Sequence, residues 1–274
     1  MNKFVHVQDI VNIPRSEQSG KSNIYIRENK ETSVEASFDY RSHYDVDADV
    51  FDYQYTGIDE ATKHENKRLH EYILRQVSSQ GATVLDVGCG RGWVAEALSD
   101  QASLVLSADV SLQNVQLALA NTPTDKHHGI VCDGYDVPVH DHTLDYIIAC
   151  EVLEHTVDPT LFIKSLFSKL KKGGKLVITT PYQEVIEQNL CIHCNCLTPR
   201  HAHLHSVTKD KMLHWTQSIE KSSVTLTTFS NKYMARLRTH IILKYVPFGV
   251  WKVVDKFANT ILPKPERIMA VIER

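Results

Sequence analysis

The sequence predicts an α/β fold, a doubly wound and mostly parallel sheet, and three observations predict it. Short apolar runs alternate with amphipathic runs from Glu60 to Pro181, and such alternation implies parallel strands joined by crossover helices. A glycine-rich turn, "LDVGCGRGW", joins the first of these strands to its helix. The 274 residues are 42% hydrophobic and 23% charged, which suits one globular core with an appendage.

Each element follows from its own signal. Leu69, Ile73 and Val77 fall at steps of four between charged residues, so a helix is expected from Glu60 to about Ser79, stopped by Gly81. "TVLDVG" reads as a buried strand and "GWVAEALSD" as the helix after it. "LVLSADV" is the next strand, followed by the helix "SLQNVQLALANT" with Ser111 placed to cap it. "GIVCD" is a short third strand and "LDYIIACEVLEH" a fourth. Pro159 opens the helix "PTLFIKSLFSKL", which "KKGG" ends, and "KLVITTP" is the fifth strand.

The pattern changes after Pro181. A Cys/His stretch over 183–210 is followed by a helix ("KDKMLHWTQSI"), a β-rich run ("SVTLTTFS") and a last strand ("RIMAVIER"). The apolar "THIILKYVPFGVWKVVDKF" between the last two could touch a membrane surface, but its few lysines form no strong basic face. Core packing or a cover over a pocket is expected instead. Residues 1–60 show weak periodicity, yet "FDYRSHYDVDADVFDYQY" mixes acids with six aromatics, more than disordered segments usually hold. This region reads as an arm packed on the body. The expected organisation is thus an arm or lid over 1–60, a ligand-binding core over 61–182, the Cys/His insertion over 183–210, and a part over 211–274 that completes the sheet and covers a pocket.

Composition excludes some partners. A net charge of -3 gives no electrostatic case for nucleic acid. No stretch reaches the ~20 apolar residues of a membrane span. The first residues carry no apolar signal core, so a cytoplasmic protein with reduced cysteines is expected, and Cys89, Cys132 and Cys150 read as small buried hydrophobes. The oligomeric state is not legible.

The glycine turn indicates the ligand. Gly88, Gly90 and Gly92 let a ligand approach the backbone at a helix N-terminus, at the carboxyl edge where open α/β sheets bind ligands. A dinucleotide turn wants its third glycine at position 93, which is Trp93. Asp86 adds negative charge where a pyrophosphate would lie, and so suits a ligand with a cationic end. Asp109 closes the next strand, where an acid accepts hydrogen bonds from ribose hydroxyls. S-adenosylmethionine fits these demands.

With these motifs the chain resembles the class I S-adenosylmethionine-dependent methyltransferases, in the branch with small-molecule and glycan-type acceptors. "VLDVGCGRGWVAEAL", "ADVS", "CDGYDVPVHDHTLDYIIACEVLEHTVDP" and "LKKGGKLVITTP" carry the resemblance over about 61–182. It implies that Asp86, Gly88, Gly90 and Gly92 hold the methionine part and that Asp109 holds the ribose, with Val110 against the adenine. It further implies that Asp133, with Gly134 beside it, bonds the adenine amino group, and that Cys150 and Glu151 line the wall below the sulfonium. A small-molecule or saccharide acceptor follows. His155, just past the fourth strand, is placed to take the acceptor's proton or to position the acceptor. Tyr182 is a weaker candidate to line the pocket. A nicotinamide-dependent dehydrogenase and a non-catalytic donor-binding module remain as alternatives.

Cys191 and Cys194 form a CxxC pair, and His201, His203 and His205 alternate. Cys191, Cys194, His203 and His205 could make a tetrahedral zinc site, with Cys196 and His201 as substitutes. The spacing is not that of a common zinc finger. An unliganded lid or a redox pair are the other readings. A similar cysteine pair before an "HLHS"-like run occurs in some methyltransferases of this branch. Zinc there would order a lid over the acceptor.

Overall fold

The computed structural model describes residues 5–13, 23–27, 59–190 and 197–274. Its strands are β1 (Ile24–Ile26), β2 (Thr83–Val87), β3 (Leu104–Asp109), β4 (His127–Val131), β5 (Leu144–Cys150), β6 (Leu170–Pro181), β7 (Gln188–Leu190), β8 (Leu197–Pro199), β9 (Ser223–Asn231) and β10 (Pro265–Glu273). Its α-helices are α1 (Glu60–Leu74), α2 (Trp93–Leu98), α3 (Leu112–Asn121), α4 (Pro159–Ser168), α5 (Lys209–Trp215), α6 (Lys232–Arg236), α7 (His240–Leu243) and α8 (Phe248–Ile261).

Eight strands form one sheet in the order β1-β4-β3-β2-β5-β6-β10-β9. β1 through β6 are parallel, and β10 runs antiparallel between β6 and β9. β2 is buried along its whole length because helices cover both faces. Alternate residues feed the two faces. Leu85, Ile147 and Ile178 pack with α4 through Phe162, Ile163 and Leu166. Val84, Ile148 and Val177 pack with α1, α2 and α8 through Ile73, Val94 and Trp251. Chain order reverses between β2 and β5, so the loops leaving them diverge and open a crevice at their carboxyl ends.

The caps follow their residues. Asp59 accepts from Ala61 N and Thr62 N at the start of α1, and Ser111 accepts from Asn114 N at the start of α3. Asp158 accepts from Leu161 N ahead of Pro159.

Several expectations shift. α1 ends at Leu74, not near Ser79. "KKGG" does not simply end α4. It lies within the span of β6, whose register on β5 jumps from Leu144↔Leu170 to Tyr146↔Lys175 and so bulges out residues 171–174. The fourth strand stops at Cys150 because Glu151 takes a positive φ of 56°, and Leu153–His155 form a 3₁₀ turn. The described parts of the N-terminal region join the body. Val7, Ile10 and Val11 enter the core, and β1 pairs with β4 at the sheet edge. The aromatic stretch 38–55 lies outside the described residues. α8 is only half a core helix: Phe248 and Trp251 are buried, but Val250, Val253 and Phe257 are exposed.

Candidate donor and acceptor sites

The turn after β2 is pinned to the end of β3. Gly88 N and Cys89 N both donate to the Ala108 carbonyl, at 2.8 and 3.0 Å. Gly88 has φ +68°, and a Cβ there would meet Val152 Cγ2 at 2.5 Å. Gly92 has φ +83°, and its Cβ would meet Ala118 Cβ at 2.8 Å, so this glycine lets the turn close onto α3.

Asp109 organises the turn. Its Oδ2 accepts from Gly90 N at 3.1 Å, and its Oδ1 accepts from Ser111 N at 3.0 Å and Asn114 Nδ2 at 3.3 Å. The Val110 backbone amide adds a further interaction that favours the ionised carboxylate. Burial holds the Asp109 carboxyl above its usual range against those donors. Asp86 is buried with Oδ2 lacking a hydrogen-bond partner. Burial, and then the Asp109 charge, push its carboxyl up to about 8. A cation brought beside it would restore its ionised form.

Past β4, Asp133 is buried and its Oδ1 accepts from Tyr135 N at 3.0 Å. A Cβ on Gly134 would strike Phe162 Cε2 at 2.5 Å. Tyr135 Oη accepts from Asp158 N at 2.8 Å and ties this loop to α4. Arg27, just after β1, pairs with Asp136 at 2.8 Å and closes the loop from outside. Val110, directly after β3, is half-buried.

The carboxyl ends of β5 and β6 form the other side. Cys150 is half-buried, and burial pushes its thiol up to about 12. Glu151 is ion-paired to Arg267 at the start of β10, while its Oε1 is buried without a hydrogen-bond partner. Arg267 lies opposite Pro181 in the sheet. Its pairing with Glu151 was not readable in advance, because the partners lie far apart in sequence.

Glu154 is 1% exposed and its Oε2 has no hydrogen-bond partner. Burial pushes this carboxyl up to about 8. The insertion folds back onto it. Tyr182 bridges to Val207, and Leu204 N donates to the Glu154 carbonyl at 2.7 Å. His155 and His203 then meet with ring centroids 4.7 Å apart, nearly perpendicular. One ligand atom each from Glu154, His155 and His203 lies within 4.8 Å of the others. His203 Nδ1 faces Glu184 Oε2 at 2.5 Å, the kind of carboxylate partner that orients a metal-binding imidazole. His155 Nδ1 faces the Ala202 carbonyl at 3.4 Å.

Of the expected zinc ligands, Cys191 and Cys194, like Cys196, lie outside the described residues. His205 does not join His203: its Nε2 faces the Thr156 carbonyl at 2.8 Å, and its ring packs on Trp215. His201 is exposed, 5.7 Å from His203 between ring centroids. Sequence reasoning missed Glu154 and Glu184. The adjacency of Glu154 and His155 in "LEH" was the available signal.

Known proteins resemble this chain in sequence and in fold. A family model described as a methyltransferase domain matches residues 58–219. The chain is 34% identical over 112 residues to the ubiquinone biosynthesis O-methyltransferase of Coxiella burnetii, covering 40% of this chain and 48% of that protein. It is 30% identical over 117 residues to a probable S-adenosylmethionine-dependent methyltransferase of Mycolicibacterium smegmatis, covering 42% and 44%. These matches span about half the length of the curated relatives. Among solved structures, an S-adenosylmethionine-dependent methyltransferase from Mesorhizobium loti superposes with a TM-score of 0.54 at 16% identity, covering 75% of this chain and 98% of that one. That likeness is one of fold. No described helix is long and apolar enough to cross a membrane. With the glycine turn, its two acids and the sheet order in place, the matched domain settles the family: the chain belongs to the methyltransferase-domain family and has the class I S-adenosylmethionine-dependent architecture.

Proposed function

We propose that the protein transfers the methyl group of S-adenosylmethionine to an oxygen of a small-molecule or saccharide acceptor. The acceptor oxygen attacks the methyl carbon in line, the carbon–sulfur bond breaks, and a neutral thioether leaves. Holding the two partners in line is much of the catalysis. One observation carries this reading. Asp109, at the carboxyl end of β3 beside the crevice where strand order reverses, fixes both Gly90 N and Ser111 N. A ribose hydroxyl would bind the Asp109 carboxylate by displacing the longest of its bonds, the one from Asn114 at 3.3 Å. Asp86 balances the donor's cationic end, and Asp133 with Gly134 frames the adenine side. Oxygen as the acceptor atom rests on the relative named an O-methyltransferase.

The acceptor side includes a divalent-cation site made by Glu154, His155 and His203, with Glu184 orienting His203. Two imidazoles and a carboxylate suit zinc or a similar borderline ion. The buried, unpartnered Glu154 Oε2 supports this fit. When bound, such an ion would make the acceptor hydroxyl more acidic. This set shares only His203 with the Cys191, Cys194, His203, His205 set, and His205's bond to Thr156 favours the new one. Cys150 and Glu151, the latter paired with Arg267, would line the wall below the sulfonium.

A second reading has its own support. Nδ1 of His155 faces a carbonyl, which favours a proton on Nδ1 and leaves the lone pair on Nε2. That lone pair can take the acceptor's proton as readily as a metal.

Calorimetry tests the donor site: S-adenosylhomocysteine should bind, whereas NADH should not. Label transfer from methyl-labelled donor to a metabolite extract tests turnover. Binding of NADH alone would end the proposal. Elemental analysis separates the two acceptor readings, because about one metal per chain that is lost in Glu154→Gln belongs only to the first.

A further inference from the structure

We propose that α8 docks the protein on an anionic lipid bilayer, its outward apolar stripe seated among the headgroups. The helix has two apolar faces. Phe248 and Trp251 point inward and Asp255 accepts from Ser230 N and Asn231 N, so the helix is bolted to β9. Arg68 of α1, fully buried, donates to the carbonyls of Leu243 and Val246 at 2.6 and 2.8 Å and fixes the approach to α8. Among the described residues, nothing covers the opposite face. Val250, Val253, Val254, Phe257 and Ile261 are 52%, 68%, 37%, 65% and 60% exposed. Their spacing of three and four residues puts them on one arc of about 100°. Single exposed apolar residues are ordinary, but a continuous stripe on a fixed helix marks an interaction surface.

Charge identifies the occupant. Residues 232–264 carry seven lysines and arginines and a single acid, Asp255, in a chain whose net charge is -3. That acid is buried on the inner face of α8, against β9. Lys252 and Lys256 are exposed one turn apart, Lys256 nearer the stripe and Lys252 with its ammonium 5.5 Å from the centre of the Tyr72 ring. Arg236, Arg238 and Lys264 are exposed on the flanking segments. Counting the whole stretch reveals a basic excess that its central segment alone hides. A second copy of this chain would bring two basic surfaces together and is disfavoured; an anionic lipid surface complements both the stripe and the charge. The 14 residues of α8 span about 21 Å at 1.5 Å per residue, too short to cross a bilayer and suited to lying in its interface.

The test is flotation of the full chain with vesicles of equal parts phosphatidylcholine and phosphatidylglycerol, and with phosphatidylcholine alone. Binding to the anionic vesicles, weakened by salt, is expected. Val253→Asp with Phe257→Asp should lower that binding at least about tenfold, and Lys252→Glu with Lys256→Glu should lower it less. Neither pair touches the donor site, so affinity for S-adenosylhomocysteine should hold in both. That readout also separates failure here from failure of the methyltransferase reading. No binding to either vesicle overturns the proposal. So does a wild-type dimer that Val253→Asp with Phe257→Asp dissociates. Loss of thermal stability in that variant without vesicle binding by the wild type also overturns it, because the stripe would then be covered by the chain itself.

Discussion

At the carboxyl ends of β2 and β3, the seven consecutive residues from Asp86 to Gly92, with Asp109, make up the proposed donor turn, and its backbone hydrogen bonds close within the turn and on the end of β3. At the ends of β5 and β6, the corresponding groups come from Glu151, Glu154, His155, Glu184, His203 and Arg267, and two of their buried oxygens, on Glu151 and Glu154, close on nothing. The first half is made from local sequence and its backbone is fixed without a ligand, leaving only the Asp86 Oδ2 oxygen buried and unpartnered. The second is assembled across the fold, and leaves polar atoms whose burial costs free energy until something satisfies them.

The largest break in the comparison is at Gly92. Gly92→Val forces a branched side chain into φ +83° and against Ala118. We expect a loss of roughly 3 kcal/mol or more in stability, with donor binding abolished. Chemical denaturation and calorimetry check both. A comparable change on the acceptor side, such as Val185→Asp at a residue 83% exposed, should leave stability within about 0.5 kcal/mol.

Next in size is the pH response of Asp86. Its folded carboxyl is raised to about 8 from an ordinary 3.8. The folded apo protein therefore holds an extra proton between those values, so this group's contribution to stability falls as pH rises through that window and levels off above about 8. A cationic donor reverses the preference and expels the proton. Donor affinity should rise with pH from 6 toward 8, by up to about tenfold per unit, and calorimetry in buffers of different ionisation enthalpy should report release of up to about one proton. Asp86→Asn should flatten both. A flat wild-type profile would remove Asp86 from the donor's cationic end.

Asp109→Ala comes third. Loss of a charged acceptor, at ~1.5–3 kcal/mol, predicts donor affinity lower by roughly tenfold or more. Because Gly90 N and Ser111 N also lose their partner, Asp109→Asn should recover part of the loss. Equal affinity in all three proteins would detach Asp109 from the ribose.

The same contrast explains what could be read from the chain. Alternating runs announced β2 to β6, and Ser111 announced its cap, because those signals lie within one or two turns of the residues they organise. The Glu151–Arg267 pair joins β5 to β10 across more than a hundred positions, and no local pattern marks it. β1 has only three residues and draws its place from pairing with β4. The α8 segment differs for another reason: its apolar residues read as core packing or a pocket cover, and only burial shows that one of its two apolar faces is exposed. The cation cluster was half legible. His203 carried a metal-like signal, but its partners Glu154 and His155 come from the turn after β5, not from the histidines beside it.

The smallest expected effect bears most directly on the acceptor half. If a divalent cation sits between Glu154, His155 and His203, it binds the folded chain and not the unfolded one, and so adds stability in proportion to its saturation. Chelation of the purified protein should then lower the melting temperature by a few degrees, at about 2–4 °C per kcal/mol for a chain of this size. Glu154→Gln should melt close to the chelated wild type and ignore the chelator. His203→Ala should behave the same way, although its partner Glu184 lies outside the cation set, because removing the imidazole removes a ligand whatever the carboxylates do. Two proteins with substitutions 49 positions apart that lose the same chelator response would locate the ion between them. A wild type indifferent to chelation would instead leave His155 as the base, and its substitution by Asn should then remove a pH-dependent limb from the rate while sparing donor binding.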